Sequence, residues 1–200
     1  MKTLKFEDRD QWLLARRGKI TGSRLKDIIV KRGTKPKLGF YELIAERIAV
    51  APDDESAMDR GTRIECEAID RFEKEFGKAV CRDLVIWARE DNESIAISPD
   101  GFIGDTEAVE AKCLSSARHL EAWLTQQIPD EYEYQKLQYF IVNSDLQTLH
   151  FAFFDPRIPS KDFFCITVQR EDVQAEVDQY LEYQRKTLEE VDRIVNQLTF

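Results

Sequence analysis

The sequence predicts an α/β fold in which a central mixed β-sheet is flanked by helices. Its length of 200 residues suits one α/β domain with a sizeable core. Apolar residues recur at helical spacing in residues 61–76, whereas residues 149–154 form a short apolar and aromatic run that is typical of a buried strand. Because no repeat, linker or low-complexity segment divides the chain, we expect a single domain over residues 1–200.

The composition is that of an ordinary globular protein, with 42% apolar residues. No apolar run is long enough to span a bilayer, and the first residues lack the pattern of a signal peptide, so we expect a cytoplasmic protein without membrane contact. The four cysteines contain no Cys-x-x-Cys pair, which argues against a zinc site or a disulfide framework. We therefore expect buried free thiols at Cys66, Cys81, Cys113 and Cys165.

The charge is distributed unevenly along the chain. The formal net charge is −9, yet residues 16–37 contain nine basic residues and a single acid, Asp27. A basic segment on an acidic body indicates one surface that faces a polyanion such as nucleic acid. A solvated, charged helix and loop is the alternative, but it leaves the imbalance unexplained.

Two short helices are expected within this basic segment and just before it. Residues 10–17 have a helical pattern that Gly18 ends, and a second helix begins at Thr21 or Ser23. In a structural role, these two residues act only as N-caps. In a functional role, the free N–H groups of the helix, a hydroxyl group and nearby Arg16 form an anion site. A phosphate group would suit both roles.

A longer helix is predicted over residues 61–76. An amphipathic helix at residues 40–49 and a loop precede it, and Met58 follows that loop. Glu65 falls inside the apolar arc of this helix. Because burying a lone charge is costly, Glu65 needs a partner, which is either a core salt bridge or a metal with its bound water. We favour the metal because further acids are predicted nearby. The apolar arc consists of Ile64, Ala68, Ile69, Phe72 and Phe76.

Two consecutive hairpins are predicted next. Residues 79–87 and residues 94–97 have the pattern of strands, and a Ser-Pro-Asp-Gly turn follows at residues 98–101, where proline fixes one φ and glycine frees the next. Residues 102–103 and residues 108–109 then flank a second polar turn. We expect these hairpins to build an antiparallel edge of the central sheet.

The second hairpin carries the residues in which we place the chemistry. Side chains two apart in a strand share a face, so Glu110 and Lys112 project together while Val109 and Ala111 point into the core. Asp100, in the preceding turn, can fold back towards them. Two carboxylates and the Ala111 carbonyl are ligands that Mg²⁺ prefers, and a lysine beside them can orient a water molecule and offset charge on a phosphate. The alternative is a turn and a strand with an exposed ion pair.

The C-terminal half supplies further candidates on helices. Arg118 stands beyond Lys112 and is placed to reach a phosphate, although a surface arginine is equally compatible with the pattern. Gln135 and Gln138 are three residues apart and so share a helix face, with surface glutamines as the alternative. The elements expected here are helices over residues 115–127, 132–143 and 172–198, a buried strand over residues 149–154 and a further strand over residues 163–168.

The order of these motifs resembles the lambda-exonuclease (YqaJ-type) viral recombinases, which belong to the PD-(D/E)XK nucleases. The resemblance extends from about residue 10 to residue 195. One departure is that the family usually has Gln-x-Gln in the later helix, where this chain has Gln135-x-x-Gln138. The motifs that carry the resemblance are Arg16-x-Gly18-x-Ile20-Thr21-x-Ser23, Gly61-x3-Glu65, Ser98-Pro99-Asp100-Gly101, Glu110-Ala111-Lys112-Cys113 and Asp155-Pro156-Arg157.

This resemblance implies the restriction-endonuclease-like fold and a Mg²⁺-dependent 5′→3′ exonuclease, with Mn²⁺ as a substitute metal. Such an enzyme degrades one strand of double-stranded DNA from 5′-phosphorylated ends and leaves a 3′ overhang for recombination. The family also implies a ring-shaped homotrimer and a single-strand annealing protein as partner. Two alternatives stay open: another PD-(D/E)XK nuclease, such as an endonuclease or an iron–sulfur nuclease, and a non-catalytic DNA-binding module on this fold. The scattered cysteines disfavour the iron–sulfur cluster.

By position, the resemblance also implies roles for single residues. Asp100 and Glu110, with the Ala111 carbonyl, resemble the metal ligands, and Lys112 resembles the lysine beside the attacking water. Glu65 resembles the additional active-site glutamate. The remaining matches concern the substrate: Arg16 and Ser23 for the 5′-phosphate pocket, Met58 for an apolar wedge that parts the strands, and one of Gln135 and Gln138 for an active-site glutamine.

Overall fold

The computed structural model describes the backbone of residues 57–199 and the side chains of residues 64–189 and 193, together with residues 38, 41, 42, 44 and 45. It divides into two compact units. The first contains the residues up to Ile64 with Cys113–Gln126 and Phe153–Phe164, and the second contains Glu65–Lys112, Gln127–Ala152 and the residues from Cys165 onward. The predicted site residues Arg16, Thr21 and Ser23 lie outside the described residues, as does the side chain of Met58.

The sheet is mixed and flanked by helices, as the sequence predicts. A four-stranded sheet has the order β3-β4-β5-β6, and β1 and β2 pair separately as a two-stranded antiparallel sheet. The helices are α1 (Ala57–Phe76), α2 (Ser116–Thr125), α3 (Glu133–Val142) and α4 (Arg170–Thr199), and the strands are β1 (Trp87–Ala88), β2 (Ala96–Ile97), β3 (Gly101–Ile103), β4 (Glu107–Lys112), β5 (Thr148–Phe154) and β6 (Phe163–Gln169).

The hairpin of β3 and β4 is confirmed. Gly101 faces Val109 and Ile103 faces Glu107 in antiparallel register, and Gly104 turns the chain between the strands with a φ of +57°. Gly101 lets the backbone of β3 lie close to the side chain of Val80, because a Cβ atom at this position would overlap that side chain. This contact holds the residue after Asp100 against the core.

The strand predicted over residues 79–87 is wrong for most of its length. Cys81 forms a single bridge to Phe102, and regular pairing is confined to β1. The backbone N–H of Val80 donates to Glu73 Oε1 on α1 at 2.7 Å, so a side chain replaces a strand neighbour as its acceptor. Because β1 and β2 form a sheet of their own, the two hairpins do not build one edge of the four-stranded sheet.

Strand β4 lies in the core of the second unit. Four consecutive residues, from Ala108 to Ala111, are buried, so both faces of this strand are covered. Its neighbours Tyr139 of α3, which contacts Glu110, and Phe151 of the adjacent β5 are fully buried. Helix α1 begins earlier than predicted and ends where Gly77 adopts a φ of +65°, as expected for a glycine that follows a helix.

The first unit has a small core of its own. Residues 41, 42, 44 and 45 are helical, in agreement with the helix predicted over residues 40–49. Ser115 caps α2 as its side chain accepts a hydrogen bond from the backbone N–H of Arg118. The core consists of Tyr41, Ala45, Ala117, Leu120 and Ile158.

All four cysteines are free, as predicted, but only Cys113 is buried and Cys66 is exposed. In the described part of the chain, no helix is both long enough and apolar enough to cross a membrane.

Candidate active site

Strand β4 and the turn before β3 bring three of the predicted residues together. Lys112 Nζ lies 2.5 Å from Glu110 Oε1, which confirms that these side chains project from the same face. Asp100 folds back as expected, because its Oδ2 accepts a hydrogen bond from the backbone N–H of Ala111 at 2.9 Å. Glu110 is only 3% exposed, so this is not the exposed ion pair of the alternative interpretation.

Helix α3 places Gln135 on the same group. Its Oε1 accepts a hydrogen bond from Lys112 Nζ at 2.9 Å, and its Nε2 donates to Glu110 Oε1 at 2.7 Å. Gln138 points elsewhere, since its Nε2 donates to the Ala96 carbonyl and its Oε1 accepts from Gln184 of α4. Of the two glutamines that the sequence leaves open, the structure joins Gln135 to the acid and the lysine.

Three carboxyl groups share this site, and we call Glu65, Asp100 and Glu110 the carboxylate cluster. Burial raises the pKa of Asp100 to about 7, and the charges of Glu110 and Glu65 contribute to this rise. Burial also raises the pKa of Glu65, with a further contribution from the charge of Glu110. Lys112 opposes both rises without offsetting them. Among the described residues, the cluster therefore carries more negative charge than Lys112 balances.

The donor set fits a Mg²⁺ ion. Among the described side chains, no three His, Cys, Asp or Glu residues form a metal cage by themselves. Mg²⁺ does not need such a cage, because it retains several waters and binds through one or two carboxylates. The half-buried Asp100 and the buried Glu110 supply two carboxylates whose repulsion a divalent cation would relieve. With the Ala111 carbonyl they form a plausible ligand set, and Glu65 acts on them through its charge.

The cluster is open to a substrate-sized space. Glu65 and Asp100 line a cavity of about 490 Å³, together with Ile69, Leu84 and Pro99. A larger cavity of about 670 Å³ opens beside Trp87 and Asn143, but it contains none of the predicted catalytic residues. The chemistry therefore points to the smaller cavity.

Two other predicted residues belong to the first unit. Arg118 pairs there with Glu121 at 2.9 Å. The backbone of Met58 lies in the first turn of α1.

Two tyrosines of the site were missed at the sequence level. The buried Tyr139 donates its hydroxyl hydrogen to Glu110 Oε2, and the ring of Tyr132 lies 4.4 Å from Lys112 Nζ. The acid and the burial raise the pKa of Tyr139 far above its usual range, which keeps this hydroxyl a donor. Their spacing from Gln135 by three and four residues is the helical signal that could have revealed both.

Residues 11–146 match the family model of the YqaJ-like viral recombinase domain, which is more than half of the chain. The chain belongs to the YqaJ-like viral recombinase family. No curated protein sequence matches it.

Solved structures agree with this YqaJ-like assignment. The crystal structure of an alkaline exonuclease, LHK-Exo, from Laribacter hongkongensis is 28% identical and has a TM-score of 0.57, with 96% of this chain and 100% of that chain covered. A crystal structure of LHK-Exo in complex with dAMP has the same identity and coverage and a TM-score of 0.56. The family and these two structures support a nuclease.

Proposed function

We propose that this protein is a Mg²⁺-dependent exonuclease that degrades one strand of double-stranded DNA in the 5′→3′ direction and leaves 3′ overhangs. The observation that carries the proposal is the carboxylate cluster with its hydrogen-bonded Lys112 and Gln135, in a chain of a recombinase family. The similarity to an alkaline exonuclease, solved also with dAMP, favours removal of nucleotides from an end over internal cleavage.

Each residue of the site has a role in this proposal. Asp100, Glu110 and the Ala111 carbonyl would hold Mg²⁺, which when bound would polarise the scissile phosphate and generate the nucleophile. Lys112 holds the attacking water and offsets charge that develops on the phosphate. Gln135 bonds to both Lys112 and Glu110 and so fixes their separation. Glu65 adds negative charge that favours the cation over a protonated Asp100.

Recognition of the DNA end is assigned to residues of the N-terminal half. Arg16, Thr21 and Ser23 would hold the terminal 5′-phosphate, and Met58 would part the strands at the fork. The other basic residues of segment 16–37 and Arg118 would grip phosphates without reading sequence, so binding should weaken with salt. A homotrimeric ring around DNA and a single-strand annealing partner complete the proposal.

A digest of end-labelled DNA tests this function. The substrates are a blunt linear duplex with one 5′-phosphorylated end, labelled at either end of the phosphorylated strand, and a closed circular duplex. With Mg²⁺ we expect the 5′ label to be released first as a mononucleotide, the 3′-labelled strand to shorten progressively, and the circle to stay intact. A chelator should stop the reaction, and Mn²⁺ should restore it.

Three outcomes of this digest would contradict the proposal. Cleavage of the closed circle would make the protein an endonuclease, and release of the 3′ label first would reverse the polarity. Binding to DNA ends without cleavage in Mg²⁺ or Mn²⁺ would indicate the non-catalytic module.

A variant tests the proposed role of Arg16. Arg16→Ala should remove the preference for phosphorylated ends, and an unchanged ratio of rates on phosphorylated and hydroxyl ends would reject that role.

A further inference from the structure

One face of α3 contacts the catalytic acid and the catalytic lysine at three points. Tyr132 is the residue immediately before α3, and Gln135 and Tyr139 follow it at helical spacing. Tyr132 contacts Lys112, Gln135 bonds to both Lys112 and Glu110, and Tyr139 bonds to Glu110. The three residues therefore lie in a row along the ion pair, from the amine of Lys112 to the carboxylate of Glu110.

The hydrogen bonds of Glu110 occupy most of its acceptor capacity. An ionised carboxylate offers about four lone-pair sites, two on each oxygen. Oε1 accepts from both Lys112 and Gln135, and Oε2 accepts from Tyr139. With respect to the residues that the structure describes, one acceptor site on Oε2 remains for a further partner such as a cation.

The position of Tyr139 makes its hydroxyl a fixed donor. The side chain is fully buried, and its ring stands edge-on to Trp87 with the ring centroids 6.3 Å apart. A ring held in this way cannot swing its hydroxyl group to another acceptor without repacking the core. The hydroxyl group of Tyr139 therefore holds Glu110 Oε2 in one orientation.

Tyr132 contacts the other member of the pair. Its ring centroid lies 4.4 Å from Lys112 Nζ, within the range of a cation–π interaction. The side chain of Lys112 is 13% exposed, so this contact is largely shielded from water.

We propose that Tyr139 and Tyr132 are positioning residues, of which Tyr139 orients Glu110 so that one site on Oε2 faces the metal and Tyr132 fixes the ammonium group of Lys112. This inference rests on the proposed function. The two side chains are expected to have different effects: Tyr139 should influence metal binding, whereas Tyr132 should influence turnover alone.

The first test compares Tyr139→Phe with Tyr134→Phe. Tyr134 is on the same helix but is 67% exposed and packs against Tyr180, so its variant is a matched control. Equilibrium binding of Mn²⁺, followed by its electron paramagnetic resonance signal without DNA, should weaken about 10-fold in Tyr139→Phe, as expected when a partner of a metal ligand is lost. Tyr134→Phe should bind Mn²⁺ like the wild type. Equal Mn²⁺ affinity in both variants would overturn the role of Tyr139.

The second test uses Tyr132→Leu and Tyr132→Phe, which change a half-buried residue at the helix start. Tyr132→Leu should lower kcat on linear duplex about 10-fold with KM and Mn²⁺ affinity unchanged, and Tyr132→Phe should restore kcat because it keeps the ring. Equal kcat in the two variants would overturn the role of Tyr132, and this pair decides even if Tyr139→Phe does not fold. Wild-type protein that neither binds Mn²⁺ nor cleaves DNA would instead refute the proposed function.

Discussion

Two aspartates of this molecule, the buried Asp155 and the half-buried Asp100, have opposite electrostatic environments. In the first unit, Asp155 is completely buried, accepts two hydrogen bonds from the side chain of Arg157 and one from Ser116, and has a lowered pKa mainly because these hydrogen bonds outweigh its burial. In the second unit, burial and neighbouring acids raise the pKa of Asp100 to about 7. Arg157 and Ser116 compensate for the buried charge of Asp155, whereas the described residues around Asp100 do not compensate for its charge.

This difference separates a structural acid from a functional one. A buried charge is tolerated when a partner and hydrogen bonds compensate for its lost hydration, as they do at Asp155. In the described part of the chain, Lys112 faces the three acids of the carboxylate cluster, and the repulsion among these acids is one that a divalent cation would remove. We interpret this surplus of negative charge as the signature of the metal site.

The largest effect is expected from Lys112→Ala. Loss of the ammonium group should lower kcat on linear duplex by at least about 10³-fold while binding to DNA ends persists, since the group acts on the reacting phosphate. Lys78→Ala is the control, because Lys78 pairs with Glu107 and takes no part in the cluster. Single-turnover cleavage and a gel-shift assay measure the two properties, and nuclease activity retained by pure Lys112→Ala would reject the assignment.

Asp155→Ala should damage stability rather than chemistry. Removing one partner of a buried ion pair costs about 3–5 kcal/mol, which lowers Tm by about 10 °C in a chain of this size. Turnover per folded molecule should stay near that of the wild type. Asp91→Ala removes an aspartate that pairs with Arg89 and Arg185 at an exposed position, and it should shift Tm much less. A Tm for Asp155→Ala equal to that for Asp91→Ala would contradict the structural role.

The pH dependence of stability should differ in sign between the two aspartates. For metal-free protein, the raised pKa of Asp100 means that the folded state keeps a proton that the unfolded state releases, so its contribution is lost as the pH rises from about 4 to about 7. The lowered pKa of Asp155 gives a contribution that is present above the unfolded pKa of about 4 and is lost in stronger acid.

Urea unfolding in a chelating buffer at pH 5 and pH 8 checks this difference. The free energy of unfolding of Asp100→Asn, minus that of the wild type, should rise from pH 5 to pH 8, because only the wild type loses the contribution of Asp100. The same difference for Asp155→Asn should be equal at the two pH values. A constant difference for Asp100→Asn would show that Asp100 does not titrate in this window.

The smallest effect is expected from the two glutamines of α3. Gln135→Ala should lower turnover about 10-fold, because it removes the bridge between Lys112 and Glu110. Gln138→Ala should leave turnover unchanged, because Gln138 bonds to Ala96 and Gln184. The ratio of the two kcat values is the measurement, and a ratio near one would show that the hydrogen bonds of Gln135 do not matter for the chemistry.

Much of this arrangement follows from local sequence rules. The alternation of side chains in a strand places Glu110 beside Lys112, and a Pro-Asp-Gly turn returns Asp100 to the strand. The fate of residues 79–86 could not be read in the same way. Their apolar content suits a strand, but a strand also needs a neighbour, and here Glu73 takes the N–H of Val80 while Leu84 and Ile86 are left exposed.

The choice between the two glutamines and the role of Tyr139 likewise depended on tertiary contacts. Residues 135 and 138 differ by about 60° around a helix, which is enough to direct one to β4 and the other to α4. Tyr139 shares a helix face with Gln135, but many core residues have such a spacing, so its contact with Glu110 was needed to identify its role.

Binding of Mn²⁺ to DNA-free protein tests most directly whether the carboxylate cluster is the metal site. We expect the wild type and Asp155→Asn, both verified as folded, to bind with the same affinity, and Asp100→Asn to bind at least about 10-fold more weakly because a ligand is lost. Wild-type affinity in Asp100→Asn would contradict the account, since the unbalanced acids would then have no part in holding the cation.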